Sequence, residues 1–111
     1  MLVVEDNADL REMYQEILTM EGHTVRLCET AADGLAALAA ARPDLVLLDL
    51  GIAGGVDELL AALPAETRII LASGARDLSE RAAALGAAAH LQKPFLPEQL
   101  IAAVEKVVPA R

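Results

Sequence analysis

The sequence predicts an α/β fold: a five-stranded parallel sheet, doubly wound by helices on both faces. Short apolar runs alternate with helix-period segments five times along the 111 residues. The third run, "DLVLLDL", is apolar almost throughout, as a strand covered on both faces has to be. Right-handed crossovers between successive strands then place helices on both sides of one sheet.

The elements follow in order. "LVV" (2–4) is the first strand. "ADLREMYQEILTMEG" carries Leu10, Tyr14, Ile17 and Leu18 on one helical face, and Gly22 ends it where a left-handed residue is commonly needed. "HTVRLCE" (23–29) alternates and reads as a half-buried strand. "AADGLAALAAA" (31–41) is a helix of strong formers, ended before Arg42-Pro43. "DLVLLDL" (44–50) is the third strand, "GIAGG" a loop, and "VDELLAAL" (56–63) a short helix stopped before Pro64. "TRIILAS" (67–73) is the fourth strand, broken by Gly74, and "DLSERAAALG" (77–86) a helix closed by Gly86. "AAHLQ" (88–92) is a weak fifth strand leading into Lys93-Pro94. "LPEQLIAAVEKVV" (96–108) is the last helix, with Pro97 and Glu98 in its first turn.

Composition bounds the function. A 55% hydrophobic chain can bury a core, and with only Tyr14 and Phe95 as aromatics that core is Leu, Val, Ile and Ala. The net charge of −8 speaks against direct nucleic-acid binding and against an anionic membrane surface. The one cysteine, Cys28, excludes an internal disulfide and a multi-cysteine metal site, and reads as a small buried strand residue. No apolar run approaches the ~18 residues of a membrane span, and no basic leader precedes "MLVVEDN". The expected location is the cytoplasm. With no linker or repeat, residues 1–111 read as one domain.

Folds of this class bind ligands outside the carboxyl ends of their strands. Glu5-Asp6, Asp49, Ser73 and Lys93 stand at the ends of the first, third, fourth and fifth strands. The end of the second, near Glu29-Thr30, lies too far out to join them. Each residue has a plain structural reading. Asp6 or Asn7 can cap a helix, Asp49 can bond turn amides, Ser73-Gly74 can be a turn, and Lys93 can be solvated. Their shared edge is what points to chemistry. Two unit charges ~4 Å apart repel by roughly 4 kcal/mol at an effective dielectric of 20, so three carboxylates there call for a counter-charge. A hard divalent ion such as Mg²⁺ suits carboxylates, a backbone oxygen and retained waters, and Lys93 adds one further positive charge.

The pieces "LVVEDN", "DLVLLDL", "ILASG" and "LGAAAHLQKPF", in that order, make the whole chain resemble the receiver domain of two-component response regulators, of the chemotaxis-regulator type. The resemblance implies a flavodoxin-like sheet of strand order 2-1-3-4-5 and a single receiver over 1–111. It implies that Asp49 accepts a phosphoryl group from a histidine kinase or histidine phosphotransfer protein. Asp6 would bind Mg²⁺ directly, Glu5 mainly through a water, and the Gly51 carbonyl would be a further ligand. Lys93 would pair with Asp49 and then with the phosphoryl oxygens, over a cis Lys93–Pro94 peptide. Ser73 would move to the phosphoryl group, and His90 stands where the family often has a switching aromatic. A downstream protein target would read the switched surface; a homodimer is left open. Catalysis would be confined to the domain's own phosphorylation and dephosphorylation.

Departures from the family are Glu5 for the usual Asp, Ala53 for a usual Pro, and loops after Asp49 and Ser73 about two residues short. No output segment follows Arg111, so a stand-alone regulator and a piece of a larger chain such as a hybrid kinase both fit. Three rival classes fit the sequence less well or no better. A haloacid-dehalogenase-type hydrolase would want an acid where Gly51 stands. A flavin carrier would want a phosphate loop where "EDNAD" repels phosphate. A degenerate receiver acting only as an interaction module would keep the fold without accepting phosphoryl groups.

Overall fold

Strand–helix alternation in the sequence becomes β1 (Leu2–Val4), α1 (Ala8–Met20), β2 (Arg26–Cys28), α2 (Ala31–Ala40), β3 (Leu45–Asp49), α3 (Val56–Ala62), β4 (Arg68–Ser73), α4 (Leu78–Leu85), β5 (Ala89–Gln92) and α5 (Pro97–Val107). The structure is a computed structural model and describes residues 1–108. All strand pairings are parallel, and the sheet order is β2-β1-β3-β4-β5.

Side-chain alternation along the strands divides the core in two. Val3, Leu45, Leu47 and Ile70 point to the face covered by α1 and α5, where Tyr14, Leu18, Leu100 and Val104 meet them. Leu2, Val4, Val46, Leu48 and Leu71 point the other way, against Ala31 of α2, Leu59 of α3, and Leu78 and Ala82 of α4. Every residue of β3 is buried, as its continuous apolar run requires. Cys28 is buried at the end of β2.

Element ends follow local chemistry. Asn7 caps α1 by accepting the Leu10 N–H at 3.0 Å, and Thr30 caps α2 by accepting the Asp33 N–H at 3.1 Å. Gly22 and Gly86, both at positive φ, follow the ends of α1 and α4. The ladder of β2 is shorter than the alternating run suggests, because an edge strand has only β1 to pair with. The short loop after β3 turns into α3 through Gly54 and Gly55 at positive φ; a Cβ at Gly55 would sit 2.8 Å from that of Ala31.

Candidate functional site

The register places four strand ends side by side. Glu5 follows β1, Asp49 closes β3, Ser73 closes β4, and Lys93 follows β5 directly. Asn7 takes the capping role at α1, which leaves the exposed Asp6 carboxylate free to face the site. One carboxylate oxygen from each of Glu5, Asp6 and Asp49 lies within 4.8 Å of the others. The sequence-predicted acidic cluster is therefore a cluster in space. Glu29 and Thr30 stay outside it, with Thr30 occupied as the α2 cap.

Lys93 is aimed at this cluster by what surrounds it. The Lys93–Pro94 peptide is cis, as the family resemblance implied. Just beyond it, Phe95 stacks on Tyr14 of α1, with ring centroids 6.1 Å apart and planes 22° apart. Tyr14 is fully buried, so this contact ties the Lys93 segment to the core.

The ammonium makes two ion pairs. Lys93 Nζ lies 2.8 Å from Glu5 Oε1 and 3.1 Å from Asp49 Oδ2. The expected pairing of Lys93 with Asp49 is present. The longer Glu5 side chain reaches the ammonium as well and makes the shorter contact. Its second oxygen, Oε2, accepts the Asn7 N–H at 3.2 Å. Arg11 donates from Nη1 to the Glu5 carbonyl at 2.9 Å and so pins the turn that carries both acids. Arg11 was not singled out from the sequence. Its only signal is a position one turn into α1, where a side chain can reach back over the loop.

Electrostatics reflects this crowding. Glu5 is completely buried, and that burial pushes its pKa up to about 7. Lys93 and the Asn7 N–H oppose the rise, while the neighbouring Asp49 carboxylate adds to it. Burial works against the Lys93 ammonium, yet Glu5 and Asp49 hold its pKa above the ordinary value. One lysine thus leaves the carboxylates short of positive charge. Burial, with the Asp49 charge added to it, favours a proton on Glu5; the same crowding of carboxylates favours a hard cation, and an all-oxygen carboxylate set fits Mg²⁺.

The remaining candidates are placed as follows. Asp49 Oδ1 accepts the Gly51 N–H at 2.9 Å, so the turn amide anticipated for Asp49 is present alongside its ion pair. A Cβ at Gly51 would lie 3.3 Å from that oxygen, so a larger residue there would crowd the carboxylate. Ser73 is buried, and its Oγ accepts the Ala75 N–H at 3.0 Å, within its own loop. His90 is exposed on β5, opposite Leu71 of β4. No described helix is long and apolar enough to cross a membrane.

Comparison with known proteins agrees with this architecture. A family model described as the response regulator receiver domain matches residues 1–105. Sporulation initiation phosphotransferase F of Bacillus subtilis is 31% identical, over 99% of this chain and 94% of its own length. The transcriptional regulatory protein PdtaR of Mycobacterium tuberculosis is 36% identical over 96% of this chain, which spans only 55% of that relative. Among solved structures, the receiver domain of NtrX from Brucella abortus superposes with a TM-score of 0.83 at 32% identity, covering 96% of this chain and 95% of its own. Chemotaxis response regulator CheY4 of Vibrio cholerae gives a TM-score of 0.85 at 25% identity, with 96% of each chain covered. The sheet order, the strand-end acids opposite a lysine, and a family match over nearly the whole length lead to one conclusion: this chain belongs to the response regulator receiver domain family of two-component systems.

Proposed function

We propose that this receiver is a phosphoacceptor: it takes a phosphoryl group from a histidine kinase or histidine phosphotransfer protein onto Asp49 and thereby switches a protein-binding surface. The observation that carries the reading is Asp49 itself. It is a buried carboxylate at a strand end, 3.1 Å from Lys93 and grouped with Glu5 and Asp6.

Phosphoryl transfer asks a protein chiefly for positioning and charge neutralisation. An Asp49 oxygen attacks phosphorus; the P–O bond forms as the P–N bond to the donor imidazole breaks, and the imidazole leaves with that electron pair and takes up a proton. Lys93 holds the carboxylate in place beforehand and neutralises phosphoryl oxygens afterwards. Asp6, Glu5, Asp49 and the Gly51 carbonyl are the groups that would hold Mg²⁺, and when bound the ion supplies charge neutralisation between the carboxylates and the incoming phosphoryl group. Because Glu5 and Asp49 each already engage Lys93 and a backbone N–H, Asp6 is the freer carboxylate for a cation. Ser73 and His90, on adjacent strands, are the residues whose movement would carry the change to the β4–β5 side.

The test is intact mass after incubation with acetyl phosphate and Mg²⁺. The expected result is a gain of one phosphoryl group in the parent protein and none in Asp49→Asn. A parent protein that gains nothing while remaining folded would be a degenerate receiver, and the proposal would fall.

A further inference from the structure

We propose that Gln92 is a positioning residue for Ser73, clamping the loop after β4 in the arrangement that keeps the Ser73 hydroxyl off Asp49. This inference rests on the phosphoacceptor reading and deepens it.

Gln92 is the last residue of β5 and the direct cross-strand partner of Ser73. In the alternating burial of β5, Ala89 and Leu91 are buried while His90 and Gln92 face outward. An outward strand-end side chain is ordinarily solvated. Here the Gln92 amide instead turns onto the neighbouring loop. Its Nε2 donates to the Ala75 carbonyl at 3.0 Å and to the Ser73 carbonyl at 3.3 Å. The Ser73 carbonyl already accepts the Lys93 N–H at 2.9 Å, so it needs no second donor to be satisfied. The Ala75 carbonyl has otherwise only a long contact, 3.4 Å, from the Leu78 N–H. The amide therefore supplies the Ala75 carbonyl with its one short hydrogen bond among the described residues, and at the Ser73 carbonyl it adds constraint to a group already paired.

What it constrains is the serine. Ala75 is the residue whose N–H is accepted by Ser73 Oγ at 3.0 Å. Gln92 thus grips both ends of the Ser73–Ala75 turn, while the turn's own hydrogen bond fixes where the hydroxyl oxygen sits. In that arrangement Ser73 Oγ makes no hydrogen bond to Asp49, whose oxygens go to Gly51 and Lys93. For the hydroxyl to reach a phosphoryl group on Asp49, Ser73 Oγ must give up the Ala75 N–H, and in this proposal the released turn withdraws Ala75 from the amide anchored on β5. A contact made only in the resting arrangement biases the equilibrium toward it by its own free energy. One ordinary hydrogen bond corresponds to roughly a 2- to 10-fold bias.

The experiment measures the affinity of the parent protein for beryllofluoride, a phosphoryl mimic, in the presence of Mg²⁺. It repeats the titration on Gln92→Leu and Gln92→Glu. Leucine removes the donor. Glutamate keeps the shape but offers only acceptors to the two carbonyls, and it covers the case in which an exposed leucine perturbs the strand. Both variants should bind the mimic roughly 2- to 10-fold more tightly than the parent. The Ala75 backbone amide resonance of the mimic-free variants should also move toward its position in the mimic-bound parent. A purely structural Gln92 would predict weaker binding, and equal or weaker binding in both variants overturns the inference while leaving the phosphoacceptor reading intact. A parent protein that does not bind beryllofluoride at all overturns both.

Discussion

At the amino end of the sheet, Arg68 donates to the Val107 carbonyl at 2.7 Å and Arg26 to the Ala37 carbonyl at 3.0 Å. At the carboxyl end, Glu5, Asp6 and Asp49 face one another around Lys93. Helices that return antiparallel to the strands deliver their carbonyl ends to the first region and their N–H ends to the second. Cations suit the partial negative charge of the carbonyl ends, and at the amino end the guanidinium groups meet it directly. Among the described residues, the buried polar side chain there is Thr67, which donates to the Pro43 carbonyl at 3.2 Å. Among the described residues, no buried side-chain polar atom at that end lacks a hydrogen-bond partner. The carboxyl end concentrates more negative charge than its helix N-termini and one lysine can balance. Stability is given up there to hold the carboxylates together, which is the usual mark of a functional site.

The contrast can be broken experimentally, and the largest effect is expected at Asp6. In the parent, Mg²⁺ should raise thermal stability by mass action. Asp6→Ala should lose that response, with Mg²⁺ affinity down by at least roughly 10- to 100-fold, since even outer partners of a ligand cost that much. The metal-free variant should melt higher than the metal-free parent, because one of three mutually repelling carboxylates is gone. Thermal melts with and without Mg²⁺ check both signs; an unchanged Mg²⁺ response would remove Asp6 from the site.

Lys93→Met comes next. It strips the cation from a buried Glu5 and should cost about 1–3 kcal/mol in metal-free protein, with Glu5 taking a proton to limit the loss. Mg²⁺ should recover part of it, so urea unfolding with and without the ion is the measurement. A variant as stable as the parent would mean that the Glu5–Lys93 pair is worth nothing net.

Arg68→Ala sharpens the other side. It removes a charged donor from the last turn of α5 and should cost about 1 kcal/mol in urea unfolding. Phosphoryl uptake from acetyl phosphate should be unaffected. A slower uptake would show that the two ends are coupled through the sheet.

The smallest effect is expected at Tyr14. Its hydroxyl is buried and has no hydrogen-bond partner among the described residues, and burial, with Glu5 and Asp49 nearby, pushes its pKa up. Tyr14→Phe keeps the ring against Phe95 and removes the unpaired group, so stability should be unchanged or higher by up to about 1 kcal/mol. A loss of stability would show that the hydroxyl has a role that its surroundings do not reveal.

Much of this was legible in the chain alone. The period of the apolar residues gives five strand–helix units, and a parallel sheet of such units has one ligand-binding edge. Glu5, Asp6, Asp49, Ser73 and Lys93 could be placed on that edge because each follows an apolar run at its carboxyl end. Gly22 and Gly86 mark helix ends by a backbone preference that is local to the residue. The partner of each charge was not legible. That Asn7 rather than Asp6 caps α1, that Lys93 reaches Glu5 at 2.8 Å as well as Asp49, that Arg11 pins the Glu5 carbonyl, and that Gln92 grips the turn after Ser73 all depend on the fold. Local pattern fixes which way a side chain leaves the backbone. Glu5 and Lys93 are 88 residues apart, and what meets at the end of a side chain is set by strand register and by one methylene of reach, which exist only once the sheet has formed.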